Sequence, residues 1–350
     1  MKPTKLILSI CLTFTLFSCE SPAEDTPVPG SSGTYILNSG NWGDNDANIA
    51  IYNPSDKTLA ADAFYAANGQ KLGDVGQDIL VYGNDVFIAV NASQTIFVTD
   101  DELKIKKQIN AEAEGARLTP RVFATYGNKV YVTYYEGYLG EISRDYSVKL
   151  CKVGPNPDGV ATAGDKLYVA NSGGMSYPSY NNTVSVVSTD SFTETSTIEV
   201  NSNPAMMAAS SDGAYVYVSS YGNYADQPAK LQMITTSDSS VTDLDYQSVS
   251  AIAKGKNDVF YILCGGYDEN WNPLPGTVYM HDMKSNTPLG AFVTDGTTLQ
   301  NAYSISAAAD GYIYVGCSDY TTTGDVYVFN KEGRLHDKFD SQGLNPIKAY

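Results

Sequence analysis

The chain has 350 residues, with 39 acidic against 22 basic side chains and a formal net charge of −17. An acidic body without a basic stripe repels phosphate backbones, which argues against a nucleic-acid partner and suits a soluble surface protein. Only two histidines, His281 and His336, are present, so imidazole-based catalysis and His-rich metal centres have little to build on.

The first 18 residues read as a secretory signal. Lys2 and Lys5 precede an apolar run over residues 6–17 that is too short to span a bilayer as a permanent helix, and Ser18 follows. Leu16-Phe17-Ser18-Cys19 resembles a bacterial lipobox, with Phe17 an unusual choice, so Cys19 is expected to be the acylated first residue; the alternative is an ordinary secretory peptide cut elsewhere. Residues 19–32 are rich in Pro, Ser and acid and read as a flexible tether. Acidic residues just after the cysteine resemble the surface-export signal of Bacteroidetes lipoproteins. The expected location is therefore the outer membrane, lipid-anchored and exposed at the cell surface. Without Lys2 and Lys5, 20 basic and 39 acidic residues remain, a net charge of −19.

From residue 33 onward one pattern repeats seven times. Short apolar strands end at comparable positions: 35–38 (YILN), 88–91 (IAVN), 131–134 (YVTY), 168–171 (YVAN), 217–220 (YVSS), 261–264 (YILC) and 314–317 (YVGC). Each precedes a polar loop and a further strand, such as 183–188 or 325–329. A period of about 40 residues with two-residue alternation and no helical stripe predicts a β-propeller. Tight turns are signalled at Gly83-Asn84-Asp85, Gly127-Asn128, Gly164-Asp165, Asp212-Gly213, Asn257-Asp258 and Asp310-Gly311. Before them lie six inner strands, 77–82, 120–125, 157–162, 204–209, 248–253 and 303–308. The seventh is expected at the end of the chain, because Asn345-Pro346 matches Asn156-Pro157 and Asn203-Pro204 in phase. Residues 345–350 should then close the ring as the inner strand of the first blade, whose other strands come from residues 33–63, leaving no open sheet edge. The predicted fold is all-β: one seven-bladed propeller of four-stranded antiparallel blades over residues 33–350. Cys151, Cys264 and Cys317 are odd in number and are expected to be buried free thiols.

This strand order puts the tight turns on one face and the longer connections on the other. Five of those connections are long: 39–47, 172–182, 221–229, 265–276 and 318–324. They carry Asn41, Trp42, Tyr177, Tyr180, Tyr221, Tyr224, Tyr267, Trp271 and Tyr320, and two short ones add Asn91, Tyr134 and Tyr135. Rings interleaved with amides and carboxylates suit a large amphipathic ligand; the alternative is that the loops bury these rings as a local mini-core. Asp44-Asn45-Asp46 and Asp268-Glu269-Asn270 lack the spacing of a calcium-binding EF-hand and also read as turn formers. No nucleophile elbow, phosphate loop or dinucleotide fingerprint is present. The reading is non-enzymatic, with no catalytic residue, metal or cofactor expected.

The tetrads at 168–171 and 131–134 resemble the YVTN repeats of surface-layer and YncE-like propellers. Asn38-Ser39-Gly40-Asn41-Trp42-Gly43 and Asn68-Gly69-Gln70-Lys71-Leu72-Gly73-Asp74, with Gln77-Asp78, resemble the surface propeller lipoproteins of Bacteroidetes. Some members of that group capture vitamin B12 and pass it to a TonB-dependent outer-membrane transporter. The resemblance implies a corrinoid as transported ligand, not as cofactor. A glycan-binding lipoprotein, a protein-interaction propeller and a lyase or hydrolase remain the alternatives.

Overall fold

The computed structural model describes residues 33–267 and 273–350. Within them, seven four-stranded antiparallel sheets stand around a ring. The second strands are deeply buried, as in Thr34–Asn38, Lys129–Tyr134 and Ile313–Cys317, and in blade 2 the third strand, Thr95–Thr99, is buried throughout as well. Both faces of a blade pack on a neighbouring blade, which is why these segments are apolar almost without interruption. Outer strands such as Glu194–Glu199 and Thr287–Ala291 face water and read as polar or small.

The repeated Asn-Pro pair has a local cause. The residue just before each inner strand offers its carbonyl to the amide that follows the second strand: Asn345 to Ser39, Asn156 to Ser172, Asn203 to Tyr221 and Asn301 to Ser318, all at 2.9–3.1 Å. Each of these asparagines lies at φ of 47–59°, in the left-handed region that asparagine tolerates better than most residues. After Asn156, Asn203 and Asn345 proline begins the strand, where its missing N–H is harmless, whereas Ala302 follows Asn301.

The C-terminal strand closes the ring as expected. Pro346–Ala349 pairs with Thr34–Asn38, and Tyr35 and Tyr350 exchange amide–carbonyl bonds of 3.0 Å. The neighbouring seventh blade accepts it closely: Ser304 Oγ donates to Pro346 O at 2.6 Å, and a Cβ on Gly316 would lie 2.2 Å from that same oxygen. The other three strands of this blade span Thr34–Asn38, Asn48–Asn53 and Thr58–Ala60.

Three local features depart from the expectation. A short helix, Ala63–Asn68, drives Phe64 into the crevice between blades 1 and 2, beside Phe97 and Leu103. A two-residue hairpin pairs Glu112–Ala113 with Ala116–Arg117 on the way into blade 3. In blade 6 the segment 265–276, read as an irregular loop, largely continues the ladder: Val259–Tyr267 pairs with Pro273–Asp282 out to Tyr267 and Pro273. Cys151, Cys264 and Cys317 are buried and unbridged.

Candidate binding site

Every inner strand starts on the loop face, and every one begins with the same irregularity. The register with the second strand slips by one residue near the first pair: between Gly76 and Asp78, Pro120 and Phe123, Pro157 and Val160, Pro204 and Met206, Val249 and Ala251, Ala302 and Ser304, and at Asn38–Pro346. A bulge breaks the in–out alternation and re-aims a side chain. Here it brings Gln77, Arg121, Asp158 and Tyr303 from four blades to the mouth of the central channel.

Arg121 holds this group together. Its Nε and Nη2 donate to Asp158 Oδ1 and Oδ2 at 3.0 and 2.8 Å, and Nη1 donates to Gln77 Oε1 at 3.1 Å. The guanidinium lies 4.9 Å from the centre of the Tyr135 ring. The Arg121 and Asp158 side chains are only 21% and 16% exposed. Burial works against the arginine's charge, but the Asp158 carboxylate outweighs it and keeps the group protonated. The floor is thus a compensated ion pair with an amide attached.

Phenols surround it. Burial, then the Asp158 charge, raises the Tyr221 hydroxyl above its ordinary value; burial, reinforced by Tyr320, pushes Tyr303 up to about 12. Both remain neutral hydrogen-bonding groups at physiological pH. Tyr135 is raised by burial too, and its hydroxyl bonds Ser172. A Cβ on Gly174 would fall 2.1 Å from that hydroxyl, so the neighbouring loop passes close over the Tyr135 ring and a larger residue there would displace it. Further out, Tyr177, Tyr180 and Tyr224 form a chain of edge contacts with centroids 6.0 Å apart, and Tyr320 meets Tyr303 edge-on at 5.6 Å. Trp42, Met175 and Tyr177 are 75%, 78% and 71% exposed and stand on the rim.

Not every sequence candidate belongs here. Tyr134 lies in the core between blades 2 and 3, its ring over Gly140, and offers no surface to a ligand. Asn91 is buried and donates to Pro120 O at 3.2 Å, fastening blade 2 to blade 3. Asn41 is half-buried; its amide donates to Tyr320 O at 3.4 Å and accepts from Asn345 at 3.1 Å, so it joins the first and last blades. Tyr267 ends its strand on the loop side of blade 6. Trp271 and Cys19 lie outside the described residues. Sequence reading missed Gln77, Arg121, Asp158, Tyr303 and Met175. The first four share a signal: each directly follows the residue that opens an inner strand.

Both histidines sit toward the opposite face. His281 is buried between the Tyr246 hydroxyl (3.0 Å) and Asn286 Oδ1 (2.9 Å), and desolvation depresses its basicity. His336 contacts Pro54 O at 2.9 Å. Among the described residues no three His, Cys, Asp or Glu side chains gather as metal ligands.

No protein-family profile matches the chain, and no curated protein matches its sequence. Solved structures do resemble it. One is Kuenenia stuttgartiensis hydrazine synthase, with a TM-score of 0.56 and 17% identity over 71% of this chain and 74% of that one. Another is the Neurospora crassa Pan2 WD40 domain, with a TM-score of 0.54 and 10% identity over 74% and 78%. The computationally designed Ika8 protein gives a TM-score of 0.57 and 13% identity over 91% and 90%. At such identities the likeness is one of fold.

Proposed function

We propose that this chain is a surface lipoprotein, anchored through Cys19, whose loop face captures a corrinoid and delivers it to a TonB-dependent outer-membrane transporter. The observation that carries the reading is the cluster of tyrosines around Arg121, Asp158 and Gln77 at the channel mouth. A cobalamin presents a broad ring face, amide side chains around its rim and a nucleotide tail. Tyr135, Tyr221, Tyr224 and Tyr303 offer flat apolar area at low entropic cost. The compensated Arg121–Asp158 pair with Gln77 offers donors and acceptors to amides without demanding a charged ligand. The rim residues Trp42, Met175 and Tyr177 provide exposed apolar contacts for a protein partner seated over the ligand. The role is binding, not catalysis: the buried phenols stay protonated, and both histidines lie toward the other face.

Titration calorimetry of the purified protein with cyanocobalamin tests this. Micromolar or tighter binding is expected, and Tyr135→Ala or Asp158→Ala should weaken it by at least about tenfold, roughly 1.4 kcal/mol. Absence of heat at tens of micromolar protein and ligand would overturn it. Retention on polysaccharide gels that is lost in Trp42→Ala would favour the glycan alternative for the same face.

A further inference from the structure

The turn face, which the sequence marks only as hairpin tips, holds an open cavity. Its volume is about 980 Å³, at the top of the range of roughly 300–1,000 Å³ typical of small-molecule sites. The first turns of blades 2 to 5 form its walls, and Lys254 reaches in from blade 6. We infer that this cavity is a second binding site, for a short uncharged oligosaccharide.

The walls are fixed to one another across blades. Tyr82 donates its hydroxyl to Gly127 O, Thr162 Oγ1 donates to Thr125 O at 3.1 Å, and Tyr146 donates to Asp85 Oδ2 at 3.0 Å. Gly213 approaches so near that a Cβ there would lie 2.8 Å from Gly164 N. A site preassembled in this way loses little conformational freedom when a ligand enters.

The lining chemistry points to a sugar. Tyr82, Tyr126 and Tyr146 each pack against the apolar core and also line the cavity, so they present amphipathic ring surface to it. Asn84, Asn128, Thr125 and Ser143 add groups that both donate and accept, matching hydroxyls that do the same. Two of the charges in the walls are already paired with opposite charges, and a third accepts a hydroxyl. Asp85 pairs with Lys106 at 2.8 Å, Asp212 accepts Ser210 Oγ at 2.6 Å, and Lys254 pairs with Asp258 at 3.4 Å. An anion would meet a body of net charge −17, and of the two wall carboxylates Asp85 is already paired with Lys106 while Asp212 accepts the Ser210 hydroxyl and the Ala214 amide. Arg144, exposed on the rim, has no carboxylate partner among the described residues.

The test is calorimetric titration of the purified protein with cellotetraose, maltotetraose, mannotetraose and xylotetraose, and with an oligosaccharide carrying glucuronic acid. At least one neutral tetrasaccharide should bind with a submillimolar Kd. Tyr126→Ala, and Asn128→Trp placed on an exposed turn to fill the cavity, should each weaken it by about tenfold or more. Arg144→Ala on the rim, and Trp42→Ala and Tyr177→Ala on the opposite face, should change it by less than about twofold. Three results would overturn the inference: no binding by any neutral member at millimolar concentration, retention of full affinity in Asn128→Trp, or loss of affinity in the loop-face variants. Binding confined to the acidic sugar and abolished by Arg144→Ala would overturn the ligand class. The same turn-face variants should leave cyanocobalamin titrations unchanged, so failure of either site is read separately.

Discussion

Ring closure rests on a carboxylate that joins three blades, and removing it gives a measurable loss. Asp78 lies on the inner strand of blade 2, Gly76–Tyr82, with its side chain 6% exposed. Oδ1 contacts Lys348 Nζ on the C-terminal strand at 2.9 Å, and Oδ2 accepts the buried Phe123 amide of blade 3 at 2.9 Å. Asp78→Ala orphans that amide, which costs about 1–3 kcal/mol. It also frees Lys348, but this side chain is 37% exposed and can turn to water, so its loss adds no more than about 1 kcal/mol. The expected total is about 1–4 kcal/mol, a large part of the roughly 5–15 kcal/mol that holds a typical protein folded. Asp78→Asn keeps an acceptor for Phe123 and exchanges a charge-assisted bond for a neutral one, so it should cost about 1–2 kcal/mol. Urea unfolding followed by both fluorescence and circular dichroism reads the difference, provided that the two probes coincide. The reasoning fails if Asp78→Ala costs less than about 1 kcal/mol, or if Asp78→Asn is as damaging as the alanine.

Acid stability should depend on Asp258. Burial would raise this carboxyl, yet the Ser211 hydroxyl and amide at 2.6 Å, with Lys284 at 3.1 Å and Lys254 at 3.4 Å, hold it at about 2 against an ordinary 3.8. Because the folded value lies below the unfolded one, its contribution of about 2 kcal/mol is present above pH 4 and disappears as pH falls from about 4 through 2. Thermal melts over that window should show a shallower acid limb in Asp258→Asn; an unchanged limb assigns the effect elsewhere. Gly333 sits at φ 72°, and a Cβ there would lie 1.7 Å from Phe292 O, so Gly333→Ala should cost more than about 2 kcal/mol. Gly115→Ala, at φ 81° in open space, should cost only the left-handed penalty of about 1–2 kcal/mol, and equal midpoint shifts in urea would contradict the steric argument. Burial pushes the Cys264 and Cys317 thiols up to about 11 and about 12. At pH 8 a thiol reagent should therefore label them only after denaturant is added, and labelling of the native protein within minutes would refute their burial.

The parts of this structure that the sequence makes legible are those set by periodicity. The YVxN-like segments recur because a strand packed between two blades must be apolar on both faces, and Asn345-Pro346 could be placed in the ring because Asn156 and Asn203 mark the same left-handed step. What escaped has no period. Ala63–Asn68 is under two helical turns, begins at an Asp62 that makes no side-chain cap, and is held by the burial of one ring, Phe64. Tyr134 and Tyr135 are adjacent in sequence, yet the first still obeys the strand's alternation and turns into the core while the second, past the last pair, turns to the channel mouth. Loop sorting could name both but could not separate them. Arg121 and Asp158 escaped for the related reason that a one-residue bulge resets which way a side chain points, and no hydrophobic pattern records it. The bulge recurs in all seven inner strands, and in blades 2, 3, 4 and 7 the residue it re-aims joins the cluster at the channel mouth. The chemistry at that mouth is set in four of the blades by Gln77, Arg121, Asp158 and Tyr303, with Tyr135 and Tyr221 beside them. A propeller of this kind can change its ligand at these positions without altering the strand ladder that supports them.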